Sequence, residues 1–544
     1  MKAKLNIKLK LVLMFVAVSL VAIFATALIL GLVSTNSSQQ SLEQQAKSQL
    51  ISIREVKKSQ IENYFKMVSN IVISSANNIA FAQAAQEFIQ SYNLFDQQEA
   101  LPENYKNQVK SYYHQLFIKE YELQNAGKRP DVKAMLKGLT DTTYALQYAY
   151  IANNANPLGE KDKLNQATGA ASYNVVHDKY HPTIRTLLQQ FGFYDIFIAD
   201  IDTGNIVYSV YKELDYATSL KNGPYANSGI GQAFKMAVSG VRNKTYLTDF
   251  KDYLPSYNGK ASFIATPLFV DGKPIAILIA QMPIDKINNI MTYNEKWSKA
   301  GLGSSGETYL VGSDYKMRSI SRFLVEDEPG YLNLMKSLNV PQATLALMKA
   351  KATSIGLQTV KTAGTEKALS GKTGFSIFDD YRGVPVLSAY TPVNIGSGIQ
   401  WALMSEIDES EAFAPAYSLK KSLLLYTIIT VIIILLIMTL IGYLAANYFS
   451  KQILALRNIA KSIASGNLDN QIDVSSIDEL GDLQQSLKDM QEEIKVRNTD
   501  QERAQQEQQK RMQFEKETAE KEHELERQRQ ENERRQQEEE LEKI

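Results

Sequence analysis

The sequence predicts an α+β protein: a long N-terminal helix, two antiparallel-sheet modules in tandem, two transmembrane helices, a parallel helical bundle and a charged C-terminal helix. Three observations predict it. Two long apolar runs stand near the start and in the last quarter of the 544 residues. The hydrophobic period changes from that of a helix to two near residue 194. Two short amphipathic stripes and a charge-rich tail follow the second apolar run.

Composition narrows the function before any motif is read. The 59 Lys+Arg balance 59 Asp+Glu, which argues against a nucleic-acid partner. The absence of cysteine excludes disulfides, thiolate metal sites and cysteine nucleophiles.

Residues 11–33 are apolar except for Ser19 and Thr26, and 423–444 form a second run rich in β-branched residues. A helix of such length rises ~34 Å, enough to cross ~30 Å of hydrocarbon. A cleaved signal peptide is the alternative for the first run, but it is too long for an h-region and lacks a clear cleavage site. Lys2, Lys4, Lys8 and Lys10 precede the first run, and Lys451, Arg457 and Lys461 follow the second. This places 1–10 and everything after 444 in the cytoplasm, with 34–420 outside. Lys420 and Lys421 work weakly against that orientation. The lipid bilayer, a bacterial inner membrane, is therefore the first expected partner.

Residues 41–95 carry helical periodicity through Leu50, Ile53, Val56, Ile61, Tyr64 and Phe65, with Lys57 and Lys58 among the polar positions between them. Residues 100–190 are mainly helical, with a loop around 153–159. Strands are expected at 194–199, 206–211, 262–269 and 274–282, the last two joined by the Asp271-Gly272 turn. The same order recurs at 308–311, 317–321, 375–378, 384–393 and 399–407. Ala265-Thr266-Pro267-Leu268 matches Tyr390-Thr391-Pro392-Val393. Two related modules, about 70–290 and about 295–408, explain the repeat more simply than chance.

Tyr194-Asp195-Ile196-Phe197, the run Tyr208 to Asp215, Gly223-Pro224-Tyr225 and the run Gly303 to Val311 carry a family likeness. With the long helix and two flanking spans, residues 45–405 resemble the double Cache sensor domain of bacterial receptors, whose modules are PAS-like. The resemblance implies that the membrane-distal module binds a small molecule and that the proximal one couples to the second span. The family's amino-acid binders carry an Arg-x-Trp-Tyr signature. Residues 208–215 contain neither Arg nor Trp, and only Asp249 resembles the later aspartate of those proteins, so their chemistry is not carried over.

Segment 208–262 is dense in tyrosine and aspartate. Tyr208, Tyr211, Asp215, Tyr225, Tyr246, Asp249 and Tyr253 are the candidate ligand-binding residues. Tyrosine offers an apolar face and a hydroxyl, and a carboxylate pairs with an ammonium group. Simple packing on the sheet is the bland reading of each tyrosine. His177 and His181 stand four apart, but Pro182 follows and Asp178 replaces the glutamate of a metalloprotease helix, so no metal site is expected. No cofactor motif and no catalytic motif is found, and the chain is not expected to be an enzyme.

After the second span, Ile453, Leu456, Ile459 and Ile463 form one stripe, and Leu480, Leu483, Leu487, Met490 and Ile494 another. Gly466-Asn467-Leu468 breaks the first, and Asp478-Glu479-Leu480-Gly481 opens the second. Residues 445–497 are similar to a HAMP domain, with Gly466, Leu468, Asp478, Glu479 and Gly481 at its signalling positions. Gln452 stands where the family usually has proline. Neither stripe is covered by a single chain, so a homodimer is expected. Residues 498–544 read as a charged helix or weak coiled coil; 501–544 hold 24 Gln or Glu and 10 Lys or Arg. No output domain is recognisable. The reading is a transmembrane receptor that passes an external small-molecule signal to a cytoplasmic signalling protein. The alternatives are a membrane scaffold docking through its tail, or a chemoreceptor or cyclase-type protein lacking its effector.

Overall fold

The computed structural model describes residues 7–467 and 470–496, with Met512, Lys516, Lys521 and Arg527. The remaining residues, which include Leu468 and nearly all of the charged tail, lie outside the described residues. The chain divides into two compact units, one of Ser34–Lys420 and one of Met1–Val33 with Lys421–Ile544. Among the described residues, two helices are long and apolar enough to cross a membrane, the first within α1 (Ile7–Ala76) and the second Ala414–Ala464.

In the larger unit, the expected helix over 41–95 is interrupted after Ala76. Asn78 takes an extended conformation, and its side chain accepts a hydrogen bond from the Ala80 N–H. It caps a new helix, Ile79–Tyr92, because an asparagine at that position satisfies a donor that the helix start leaves open. The buried face of α1 follows Ile61, Phe65, Val68 and Val72. Further back, Val56 is exposed whereas Arg54 and Lys57 are buried. Arg54 donates to the carbonyls of Gly374 and Tyr390, and Lys57 donates to that of Ile290 while its ammonium sits over the Tyr293 ring. Backbone acceptors therefore reverse the polarity expected from the stripe. Burial pushes the Lys57 ammonium down to about 7.

The first sheet is antiparallel with the order β2-β1-β7-β6-β3: β1 Asp195–Asp200, β2 Ile206–Ser209, β3 Tyr246–Leu247, β6 Phe263–Val270 and β7 Lys273–Gln281. A small hairpin, β4 Lys251–Tyr253 with β5 Gly259–Ala261, stands beside it. Asp271 and Gly272 both take positive φ, so the Asp-Gly turn joins β6 and β7 as a two-residue hairpin. Every residue of β1 and β2 is buried. The helices Ile79–Tyr92, Ser172–Phe191 and Gly229–Val238 pack on this sheet.

The second sheet has the order β8-β11-β10-β9: β8 Glu307–Val311, β9 Gly374–Asp379, β10 Pro385–Gly396 and β11 Ile399–Asp408. The matching Thr-Pro pairs have the same place in both sheets. Pairing of β3 to β6 stops at Ala265, two residues before Pro267, and pairing of β9 to β10 stops at Tyr390, two before Pro392. Proline brings no N–H to a ladder and is tolerated where one neighbour has ended.

One expected strand, 317–321, is reduced to a single bridge between Val311 and Met317. The Ser319 hydroxyl accepts from the Leu310 N–H where a strand carbonyl would, and a helix, Arg322–Glu326, begins directly after Ser321.

Candidate functional site

The polar segment that follows β2 lies inside the first module. Tyr208 is fully buried, with its hydroxyl 2.7 Å from Nδ1 of His181. The His181 Nε2 lies 2.6 Å from the Asp162 carbonyl, which can only accept, so Nε2 carries the proton and Nδ1 accepts from Tyr208. Burial holds His181 neutral, pushing it down to about 2. His177 stacks on it, with ring centroids 4.4 Å apart, and faces the Asn165 carbonyl through Nδ1. These histidines are structural partners of the aromatic core around Phe88, Tyr150 and Tyr173.

Lys212 follows in a left-handed conformation, φ 57°, and is buried. Its ammonium donates to the carbonyls of Ser209 and Val210 and lies within about 6 Å of the Tyr150, Tyr208 and Tyr216 rings. Burial pushes it down to about 7. The Glu213 carboxylate accepts from the Tyr194 and Ser256 hydroxyls at 2.8 and 2.7 Å. Asp215 is fully buried, accepts from the Tyr253 hydroxyl through Oδ2, and has no partner at Oδ1. Burial, reinforced by Glu213, pushes its carboxyl up to about 7. The Tyr225 hydroxyl also lacks a partner, and its ring meets that of Tyr253 at 6.2 Å.

The backbone of this segment is held by residues that sequence reasoning missed. Gln147 donates to the carbonyls of Leu214 and Tyr216 and accepts from the Tyr113 hydroxyl. A cavity of about 260 Å³ opens beside it, lined by Tyr112, Tyr194, Tyr211, Lys212, Glu213 and Leu214 among others. Tyr211 stacks on Tyr194 at its wall. An unpaired carboxylate oxygen and an unpaired phenol, both removed from water, suit a ligand that brings a hydrogen-bond donor. Nothing in the local pattern of Gln147 marks it, because its partners are 67 and 69 residues away.

Of the candidate residues, Tyr211, Lys212's neighbour, lines the cavity, whereas Asp215, Tyr225 and Tyr253 form one buried group outside its lining, joined to it along the chain through Leu214. Tyr208 is bound to His181. Tyr246 lies apart, on the edge strand β3, with Lys244 over its ring at 5.5 Å. Asp249 also lies apart. It receives Nε and Nη2 of Arg318 at 3.0 and 2.8 Å and the Trp401 indole N–H at 3.1 Å, and so joins the first module to the second.

In the smaller unit, Leu456, Ile463, Ile472 and Leu487 form a core. Gly466 takes φ 82°, where the first stripe ends. The Asp478 carboxylate accepts from the Ser476 hydroxyl, which most lowers it below its ordinary value, and from the N–H groups of Gly481 and Leu480, which add to that. Glu479 begins the helix Glu479–Val496, at its positive end. A Cβ at Gly481 would stand 1.9 Å from the Ser476 carbonyl oxygen, so the turn admits no side chain there. Among the described residues, no group of three His, Cys, Asp or Glu is placed to hold a metal.

Solved structures similar to this chain include the ligand-binding domain of the Pseudomonas aeruginosa amino acid chemoreceptor PctB in complex with L-Arg. It is 16% identical, with 44% of this chain and 78% of that one covered and a TM-score of 0.27. The ligand-binding domain of PctC from the same organism, in complex with GABA, is 12% identical, with 56% and 93% covered and a TM-score of 0.25. That of the Pseudomonas fluorescens chemoreceptor CtaA with L-isoleucine is 13% identical, with 61% and 99% covered and a TM-score of 0.26. No curated protein matches the chain. Residues 444–495 match the HAMP domain, and the chain carries that domain directly after its second long apolar run.

Proposed function

We propose that the chain is a non-enzymatic transmembrane receptor of a bacterial inner membrane, acting as a homodimer. Residues 34–420 stand outside as two Cache-type modules, and both termini are cytoplasmic. A small molecule enters the cavity of the distal module and gives a hydrogen bond to Asp215 Oδ1. A protonated amine or a hydroxyl fits that atom. The ligand binds one of two arrangements of the receptor more tightly and shifts the population toward it. The second span carries the shift into the HAMP helices, whose repacking is read by a cytoplasmic signalling protein.

The HAMP match after an apolar helix is the observation that carries the signalling part of this reading. The unpaired Asp215 Oδ1, on the residue that follows the cavity-lining Leu214, supports the ligand part. Ile453, Val474 and Ile477 are exposed on the HAMP segment and offer apolar surface to a second copy.

The test is calorimetric titration of the full chain in lipid nanodiscs with a panel of small amines and hydroxylated metabolites. A ligand is expected whose affinity falls at least tenfold in Asp215→Asn. Absence of any binding, or binding indifferent to that substitution, overturns the assignment of the site.

A further inference from the structure

A second and larger cleft, of about 830 Å³, lies between the two sheet modules. Its volume is within the range of small-molecule sites. One wall comes from the first module, through Tyr121, Tyr257 and Gln281; the other comes from the second, through Leu347, Lys351 and Ile355.

The β4–β5 turn is held at this cleft from both sides. Tyr257 and Asn258 each have φ 54°, a left-handed conformation that asparagine tolerates and that a bulky residue such as Tyr257 adopts only when the surroundings enforce it. The Tyr257 carbonyl accepts from Asn125 at 2.9 Å on the first module and from Lys351 at 2.8 Å on the second. The Asn258 amide donates to the Tyr121 hydroxyl at 2.7 Å. Gln281, at the end of β7, is only 3% exposed. Its Nε2 donates to Ser256, and its Oε1 has no partner. A buried carbonyl without a donor carries the full cost of its lost hydration.

The charges of the cleft are paired or peripheral except at Lys351, whose half-buried ammonium is held by the Tyr257 carbonyl. Asp252 and Lys260 form an ion pair at 2.6 Å, while Lys128, Asp285 and Glu295 are exposed at the rim. The inner surface combines tyrosine rings, aliphatic side chains and an open amide carbonyl. A cationic ligand would lose water there without meeting an unpaired carboxylate, and an anionic one would meet only Lys351, whose ammonium is already held by the Tyr257 carbonyl. A ligand with one apolar face and several hydroxyl donors meets rings on one side and acceptors on the other.

We propose that this cleft is a second ligand site, one that takes an uncharged polyhydroxylated molecule of the saccharide type and bridges the two modules. It shares Tyr194 and Tyr257 with the distal cavity but does not include Asp215, and it does not need the Asp215 site to be occupied.

Calorimetry on the full chain in nanodiscs tests it with D-glucose, D-galactose, N-acetyl-D-glucosamine and maltose, and with glucuronate and glucosamine as charged counterparts. At least one neutral saccharide is expected to bind saturably and tighter than its charged counterpart. Ala350→Trp is chosen because Ala350 is exposed on the helix Gln342–Lys351 and lines the cleft, so the new ring fills the space without entering the core. Gln281→Leu removes the open carbonyl. Each is expected to weaken binding at least tenfold, and Asp215→Asn is expected to leave it unchanged. The proposal is overturned if no neutral saccharide binds, if binding survives Ala350→Trp, or if a charged counterpart binds better. Loss on Asp215→Asn alone would assign the saccharide to the distal cavity and also overturn it.

Discussion

Glu307 of β8 and Glu406 of β11 stand directly opposite each other in the second sheet, both buried. Glu307 accepts from the Arg322 N–H at 2.5 Å and the Tyr381 hydroxyl at 2.8 Å. Glu406 accepts from the Ser388 and Tyr309 hydroxyls, both at 2.7 Å. Burial pushes Glu307 up to about 7 and Glu406 up to about 8, with Asp380 raising both and Arg382 opposing the rise at Glu307.

This pair makes stability depend on pH. Both carboxyls are raised from an ordinary 4.5, so above that value the folded protein keeps protons that the unfolded chain has released. Their contribution is fully present below about pH 4.5 and is lost as the pH rises through about 7 to 8. Thermal unfolding of the full chain in nanodiscs should show a lower Tm at about pH 8 than at about pH 5, and Glu406→Gln should shrink the difference.

Asp215 gives the opposite sign for ligand binding. Its carboxyl, raised to about 7, gains charge as the pH rises. A protonated amine should therefore bind more tightly at about pH 8 than at about pH 6, with the dependence absent in Asp215→Asn. A titration at both pH values decides; equal affinities would exclude an ammonium ligand at this atom.

Asp249→Ala leaves Arg318, 3% exposed at its side chain, without its buried partner and takes an acceptor from Trp401. A loss of about 3 kcal/mol is expected, since the buried guanidinium keeps only the half-exposed Asp314 as its counter-charge. Asp314 is Arg318's other partner and is 53% exposed, so Asp314→Ala should cost less than about 1 kcal/mol. Urea unfolding of the two variants compares them directly.

Glu411, just before the second apolar helix, accepts from the N–H groups of Ser304 and Ser305 at 2.8 and 2.7 Å. Glu411→Ala should release this loop. Hydrogen exchange at those two amides is expected to accelerate while exchange in β10 and β11 stays as it was; unchanged exchange at Ser304 and Ser305 would refute the clamp.

In the HAMP segment, Asp478→Ala removes a helix cap and should cost about 1 kcal/mol. Gly481→Ala should cost more, because the new Cβ collides with the Ser476 backbone rather than with a side chain that can move. Thermal unfolding followed by circular dichroism ranks the two.

What the sequence determined by itself was local. The length of the apolar runs, the change of period at the first strand, the Asp271-Gly272 turn and the Asp478 cap all depend on residues a few positions apart. Tertiary structure decided everything that required distant partners. It buried Lys57 by supplying the Ile290 carbonyl, took Asp249 out of the tyrosine group by supplying Arg318, and left Asp215 Oδ1 open beside Tyr253. Those outcomes turn on which donor and acceptor meet when desolvated, and side-chain type does not encode that until the two modules have packed.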